Sequence, residues 1–291
     1  VQTAHLGLAK IEKTMINFFL NEMGVYQSEF GFPTTRHETN YLNANLELAE
    51  MGVLSPIRLS GWLRAIKEDV ELAYEMVPGL KYLNLSISTS DQMIHSKFQE
   101  KMSRETVIKS MVEAVETAKA CGAQGIGINA EDASRSDIDY LIEFALAGKE
   151  AGAERFRYCD TLGYDSPFTI YERVAKIGEA IQMPIELHCH NDLGMVVANS
   201  LAGAKAAIDV GCDVFINTTI NGIGERAGNA DLVSVILAVK YASGMDGEKY
   251  QLDERISLKT AWKTCKYASY AFQVPIPITQ PGVGANAFAH A

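Results

Sequence analysis

The stretch FRYCDTLGYDSPFTIYERVAKIGEAIQMPIELHC, from Phe156 to Cys189, contains one complete strand–helix–strand unit. Phe156–Cys159 and Ile185–Cys189 are predicted strands. Between them, residues 167–181 carry a helical pattern, and Pro167 is well placed in the first helical turn. Two strands joined by a helix of this length are typical of a parallel β–α–β crossover.

The same alternation of strands and helices extends over most of the chain. The pattern predicts seven strands, and a helix from Leu8 to Met23 precedes the first of them. An open doubly wound sheet is the rival architecture, but it usually carries a glycine-rich turn after its first strand, and this sequence has none. We therefore predict an α/β fold, a (β/α)8 TIM barrel whose first strand lies before residue 1.

The sequence changes character after Gly244. Residues 257–270 are predicted to be helical, and Val274-Pro-Ile-Pro277 to be extended. We therefore divide the chain into a TIM-barrel catalytic domain, residues 1–245, and a linker with the beginning of a C-terminal subdomain, residues 246–291.

Composition argues against several classes of protein. The 291 residues carry a formal net charge of −10, which argues against a nucleic-acid partner because a phosphate backbone requires a basic surface. No apolar run is long enough to cross a membrane, and the first residues do not resemble a signal peptide. The five cysteines are scattered without CxxC spacing, so we expect reduced thiols and a cytoplasmic location.

Polar side chains gather directly after the predicted strands, where TIM barrels build their active sites, although loops are polar in any protein. The most informative are His188 and His190. Because side chains alternate along a strand, both imidazoles point to the same face, with Glu186 below them. Two such imidazoles are suited to bind one divalent metal. The alternative is a pair of hydrogen-bonded or surface histidines.

The loop Glu131-Asp-Ala-Ser-Arg-Ser136 combines two carboxylates with an arginine. Arg135 with neighbouring hydroxyls is suited to clamp a substrate carboxylate. The alternative is a helix start that is capped by Ser134 or Ser136. Both interpretations are compatible with each other.

The segment Asn221–Asn229 contains three glycines, which permit tight turns and close approach to a ligand. Its spacing does not match a dinucleotide-binding turn. The alternative is a scaffold in which Glu225 pairs with Arg226 and Asn229 caps the last barrel helix.

Taken together, these segments resemble the family that contains homocitrate synthase, 2-isopropylmalate synthase and citramalate synthase. The resemblance covers essentially the whole chain and rests on the segments SEFGFP (28–33), EDASR (131–135), CDTLG (159–163), HCHNDLG (188–194), NGIGERAGN (221–229) and FAH (288–290). The HxHND and GERxGN motifs in this order are highly specific. GWLRA (61–65) and LSISTSD (85–91) are most similar to the homocitrate synthases linked to nitrogen fixation.

The resemblance implies a metal-dependent enzyme with acetyl-CoA as co-substrate. His188 and His190 would be metal ligands, with Asn229 nearby in the outer or water-linked shell, and the metal would be Mg2+, Mn2+ or Zn2+. The family's first strand ends in an Arg-Asp pair that completes this site, and we expect the sequence to begin just past it. The family's last catalytic histidine would fall beyond Ala291.

The resemblance also implies roles for five further residues. Glu29 would lie beside the reacting centre and Glu131 close behind it. Arg135 and Thr161 would hold the carboxylate groups of a 2-oxo acid, with Ser136 assisting. We therefore assign Glu29, Glu131 and Arg135 as catalytic, and Arg135, Ser136 and Thr161 as substrate-binding. Lysines 97 and 101 with Arg104 are expected to form a solvated face, or to contact the phosphates of coenzyme A.

The predicted function is a metal-assisted Claisen condensation of acetyl-CoA with 2-oxoglutarate, giving homocitrate and CoA, in a homodimer. A Re-face citrate synthase using oxaloacetate stays open, because one methylene changes binding by only about 1–3 kcal/mol. So do 2-isopropylmalate and citramalate synthesis. The lyase branch is set aside because its glycine loop carries a cysteine, which Gly222–Arg226 lacks. The non-enzyme alternative is an inactive 2-oxo-acid-binding relic, if the molecule starts at Val1.

Overall fold

The computed structural model describes residues 3, 5–98, 102–245 and 249–289. Within these residues, seven strands form one parallel sheet in which each strand pairs with the next along the chain. The strands are β1 (Gln27–Gly31), β2 (Arg58–Arg64), β3 (Tyr82–Ser88), β4 (Gly125–Glu131), β5 (Arg155–Asp160), β6 (Ile185–Cys189) and β7 (Val214–Asn217). The predicted number of strands and their parallel order are confirmed.

The described residues also form ten α-helices, most of them between strands. They are α1 (Lys10–Glu22), α2 (Thr39–Glu50), α3 (Lys67–Met76), α4 (Asp91–Phe98), α5 (Arg104–Ala120), α6 (Ile138–Ala151), α7 (Pro167–Ile181), α8 (Val196–Asp209), α9 (Leu232–Tyr241) and α10 (Ala261–Phe272). Helix α7 has the predicted bounds. The sequence did not predict α4, because Ile94 is its one fully buried residue in the described part and a regular apolar pattern is missing.

The sheet curves so that distant strands face each other. Arg157 of β5 lies within ion-pair distance of Glu29 of β1, and the ring of Tyr26, just before β1, lies 5.0 Å from that of Phe215 in β7. In the described part of the chain, β1 and β7 pair only with β2 and β6 and leave their other edges unpaired. An eighth strand from before residue 1 stays a prediction.

The two faces of the sheet differ in chemistry. In β3, Leu83 and Leu85 face the helices and are buried in the main apolar core, whereas Asn84 and Ser86 face the interior of the curved sheet. This alternation follows from the pleat of the strand. The interior of a TIM barrel is usually filled with bulky branched residues, so a polar interior indicates a ligand site.

The last described segment packs on the barrel. Cys265 and Phe272 of α10 are buried with Met23 and Ile236 in a second apolar cluster. The predicted domain boundary after Met245 adjoins residues 246–248, which lie outside the described residues, so the division stays a prediction. All five cysteines are described, and all are unpaired thiols. None of the described helices has the length and apolar character needed to span a membrane.

Candidate functional site

A cavity of about 1290 Å3 opens inside the curved sheet. Six of the eight site residues predicted from the sequence line it: Glu29, Glu131, Thr161, His188, His190 and Asn229. They come from β1, β4 and β6 and from the segments that follow β5, β6 and β7. The structure therefore brings residues up to 200 positions apart to the C-terminal end of one sheet, as the barrel prediction requires.

His188 and His190 point their outer ring nitrogens at each other. The two Nε2 atoms are 3.1 Å apart, and the rings are nearly perpendicular, at 86°. Burial, helped by the positive charge of Arg157, lowers the pKa of His188 below its ordinary value of 6.5. Burial, together with His188 and Arg226, lowers the pKa of His190 to about 3. Both rings are therefore neutral at pH 7, which is the form that binds metal.

Five side chains beneath the histidines form a closed polar ring, called here the interior ring: Glu29, Asn84, Arg155, Arg157 and Glu186. Arg157 Nη2 lies 2.6 Å from Glu29 Oε1 and 2.7 Å from Glu186 Oε1. Arg155 Nε lies 2.7 Å from Glu186 Oε2, and its Nη2 donates to Asn84 Oδ1 at 3.3 Å. Asn84 Nδ2 donates to Glu29 Oε1 at 2.6 Å and closes the ring.

The interior ring keeps its charges although it is buried. Burial alone would lower the pKa of Arg157, but Glu186 and Glu29 outweigh it and raise that pKa. Burial would likewise raise the pKa of Glu186, but Arg157 and Arg155 lower it below 4.5. Two arginines and two carboxylates thus neutralise each other inside the barrel, a condition under which buried charges are tolerated.

Glu131 and Thr161 occupy the rim above the ring. Ser88 Oγ donates to Glu131 Oε2 at 2.7 Å, and Lys97 Nζ donates to Glu131 Oε1 at 2.5 Å. Lys97 therefore has a specific partner, in contrast to the solvated face that the sequence predicted. Thr161 Oγ1 accepts a hydrogen bond from the backbone N–H of Asp132 at 2.8 Å.

Arg135 and Ser136 do not line the cavity, in contrast to the other predicted residues. Arg135 binds the buried carboxylate of Asp132 with both Nε and Nη2, at 2.6–3.1 Å, and Ser136 Oγ donates to Asp132 O and lies 2.8 Å from Thr89 Oγ1. Their neighbour Asp137, rather than a serine, caps α6. Direct contact with a substrate would require the Arg135–Asp132 pair to open, so this assignment stays a proposal.

Asn229 is held beside His190 by an isolated antiparallel bridge between the two residues. Its Nδ2 donates to Cys189 O at 3.1 Å, and a Cβ on Gly224 would stand 1.9 Å from its Oδ1, so only glycine fits there. Asn229 does not cap α9, because Asp231 does. The glycine loop thus serves to place one amide next to the histidine pair.

Arg226 has a different principal partner from the one that the scaffold interpretation predicted. Its guanidinium binds both oxygens of Asp192, at 2.9 and 3.0 Å, and donates to the carbonyl of Thr161. Its contact with Glu225 is longer, at 3.6 Å. The glycine loop is therefore tied to the loops that follow β5 and β6.

The histidine pair fits a divalent cation by its spacing. Two nitrogen ligands, each about 2.1 Å from a metal and at a right angle, would stand about 3.0 Å apart, close to the 3.1 Å observed between the Nε2 atoms. In the described part of the chain, no three His, Cys, Asp or Glu side chains converge on one point. A cation there would therefore need oxygen donors besides the two imidazoles.

Sequence reasoning missed the arginines of the interior ring. Arg155, Arg157 and Cys159 alternate along β5, and register places Arg157 beside Glu186 and Cys159 beside His188. The signal was available, since two arginines at alternate positions of an interior strand need a partner. The partners on β1 and β3 could not be read without the curvature of the sheet.

Several curated proteins are similar to this chain over nearly its whole length. The citrate (Re)-synthase of Dehalococcoides mccartyi strain CBDB1 is 62% identical over 291 residues, which is all of this chain and 70% of that protein. The 2-isopropylmalate synthase 2 of Caldanaerobacter subterraneus subsp. tengcongensis is 41% identical over 289 residues, 99% of this chain and 70% of that protein. Homocitrate synthase 1 of Nostoc sp. strain PCC 7120 is 34% identical over 289 residues, with 99% and 71% covered.

Solved structures support the fold alone. The hydroxymethylglutaryl-CoA lyase from Pseudomonas aeruginosa superposes with a TM-score of 0.73 at 14% identity, over 99% of this chain and 93% of that one. The curved seven-stranded parallel sheet with its helices therefore has the TIM-barrel-type fold of this lyase. The family model described as HMGL-like matches residues 2–267. The chain therefore belongs to the HMGL-like family.

Proposed function

We propose that the protein condenses acetyl-CoA with oxaloacetate and water to give citrate and CoA, with attack on the Re face of the oxaloacetate carbonyl. The observation that carries this proposal is the 62% identity to a citrate (Re)-synthase over the whole chain. It favours oxaloacetate over 2-oxoglutarate, the acid that the sequence motifs favoured, and the two stay as competing outcomes of the test below.

The residues of the cavity support a metal-assisted condensation. His188 and His190 would hold Mg2+, Mn2+ or Zn2+, with Asn229 close by. Such a cation polarises the carbonyl of a 2-oxo acid and orients its carboxylate. The neutral imidazoles would contribute lone pairs without adding charge.

Glu29 is the carboxylate that we propose to face the reacting centre. Its Oε1 contacts both Arg157 and Asn84, while its Oε2 has no partner among the described residues. Glu131 differs, because both of its oxygens are engaged, by Ser88 and Lys97. Glu29 Oε2 is therefore the oxygen that can accept a hydrogen bond from substrate, while Glu131 orients the rim around it.

We further propose that Thr161 contacts a substrate carboxylate and that Arg135 and Ser136 support it through Asp132, or bind directly once that pair opens. Thr161 Oγ1 keeps its hydrogen free, because it accepts from Asp132 N.

We also retain as proposals a strand that closes the gap between β7 and β1, a C-terminal subdomain from residue 246, a homodimer and a cytoplasmic location. Light scattering would test the dimer.

Release of free CoA from acetyl-CoA tests the function directly. We expect release with oxaloacetate and Mn2+ and much less with 2-oxoglutarate, pyruvate or 2-oxoisovalerate, and little with any acid after EDTA treatment. Citrate made from labelled acetyl-CoA, cleaved by a lyase of known stereospecificity, reports which carbonyl face was attacked. CoA release with none of the acids would overturn the proposal, and faster release with 2-oxoglutarate would return the preference to homocitrate.

A further inference from the structure

The two histidines of the pair differ in what holds their inner nitrogens. His188 Nδ1 lies 2.8 Å from Asn217 Oδ1, whereas His190 Nδ1 is buried and has no hydrogen-bond partner among the described residues. His188 and Asn217 are register neighbours on β6 and β7, so their side chains emerge side by side from the sheet. The contact is therefore fixed by backbone pairing.

The neighbour of Asn217 decides which way its amide points. Asn217 Nδ2 donates to Glu186 Oε1 at 3.3 Å. An ionised carboxylate only accepts hydrogen bonds, so the NH2 group must face Glu186 and the amide oxygen must face His188. Because that oxygen only accepts, His188 Nδ1 must carry the hydrogen. The lone pair of a neutral His188 then lies on Nε2.

The position of Glu186 is fixed in turn by the interior ring. Its two oxygens lie 2.7 Å from Arg157 Nη2 and 2.7 Å from Arg155 Nε, and its side chain is 6% exposed. Asn217 thus connects a buried charged network to the ring of His188. Moving the side chain of Glu186, Asn217 or His188 would break hydrogen bonds or ion pairs that this network makes.

We propose that Asn217 and Glu186 are positioning residues that hold His188 as its Nδ1-protonated tautomer and leave the Nε2 lone pair free to bind a cation. His190 has no such partner at Nδ1, and in the metal-free protein its Nε2–H would donate to the lone pair of His188 Nε2. Partners of this type orient a metal-binding imidazole and commonly change metal affinity about 10–100-fold when they are removed. The inference that Nε2 binds a cation rests on the proposed function. The inference that His188 is protonated at Nδ1 does not.

The tautomer is measured by long-range 1H–15N spectra of the histidine side chains in the EDTA-treated protein. We expect the His188 signals of a ring protonated at Nδ1, and in Asn217→Ala a shift towards the Nε2-protonated form. Asn129→Ala is the matched control, since Asn129 is a buried amide on the same cavity wall without a hydrogen bond to this network. A wild-type His188 that is protonated at Nε2 would overturn the inference, whether or not the protein is a synthase.

Mn2+ affinity is the second readout. Asn217→Ala should bind Mn2+ about 10–100-fold more weakly, while Asn129→Ala stays within a factor of about two. Equal losses of Mn2+ affinity in Asn217→Ala and Asn129→Ala would contradict the positioning role of Asn217. Absence of Mn2+ binding in the wild type would contradict the proposed metal site and leave the tautomer measurement to decide the inference.

Discussion

The protein places arginine–carboxylate contacts in two regions of very different character, the interior ring and the loop after β4. In the interior ring, Arg157 is 3% exposed in its side chain and bridges carboxylates from two strands. In the loop, Arg135 is 27% exposed and binds Asp132 three residues away. The sequence motif drew attention to Arg135, yet Arg157 lies in the cavity. A local motif marks a loop, whereas a site is assembled by strands far apart in sequence.

The largest expected effect is on the free energy of unfolding. Breaking the interior ring should cost much more than breaking an exposed ion pair. Arg157→Met should lower the free energy of unfolding by about 3–5 kcal/mol, because it leaves Glu29 and Glu186 buried without their shared partner. Lys176→Met is the control, since Lys176 and Asp139 are 56% and 81% exposed in their pair, and it should cost about 0–1 kcal/mol. Urea unfolding measures both. Equal losses of unfolding free energy in the two variants would contradict the distinction between the buried interior ring and exposed ion pairs.

Cation binding should stabilise the folded protein through the histidine pair. At Mn2+ concentrations about 100 times the dissociation constant, the free energy of unfolding should rise by about 2.7 kcal/mol. His188→Ala should lose this increment and turnover with it while keeping the fold, because it removes one of two nitrogen donors at a strand end. Thermal unfolding with Mn2+ and with EDTA gives the difference. A variant that still gains the full increment would show that the ion binds elsewhere.

Arg135 provides a kinetic test of the loop. If it reaches substrate when its pair with Asp132 opens, Arg135→Ala should raise the KM for the oxo acid about tenfold, equivalent to about 1.4 kcal/mol, with little change in the KM for acetyl-CoA. A purely structural Arg135 would instead lower stability without separating the two KM values. Steady-state rates with each substrate varied in turn distinguish these outcomes.

The smallest effect is a pH dependence of stability in the metal-free protein. The pKa of His190 falls from 6.5 to about 3 on folding, so the unfolded chain binds the extra proton and stability is lost as pH falls below 6.5. Between pH 7 and 6 the loss from this group should be about 0.7 kcal/mol. The pKa values of Asp160 and Asp165 are raised and act with the opposite sign, but they cancel when wild type is compared with His190→Gln. Identical losses in both proteins would contradict a neutral buried His190.

Periodicity predicted the seven strands and most helices, because these elements have local patterns, and the β–α order allows few topologies. The histidine pair was predictable for the same reason, since His188 and His190 share a strand face. The interior ring was not, because Glu29 and Arg157 are 128 positions apart and meet only through the curvature of the sheet. Arg135 lies outside the cavity because Asp132, left-handed at φ 64°, turns its carboxylate towards it.

We propose that His188 and His190 share one divalent cation through their Nε2 atoms. Electron paramagnetic resonance of Mn2+ added to protein labelled with 15N-histidine tests it most directly. We expect one bound Mn2+ per chain with hyperfine coupling to two histidine nitrogens, and loss of that signal in the His188→Ala/His190→Ala double variant. Bound Mn2+ without histidine coupling, or no bound Mn2+ at saturating concentration, would contradict it.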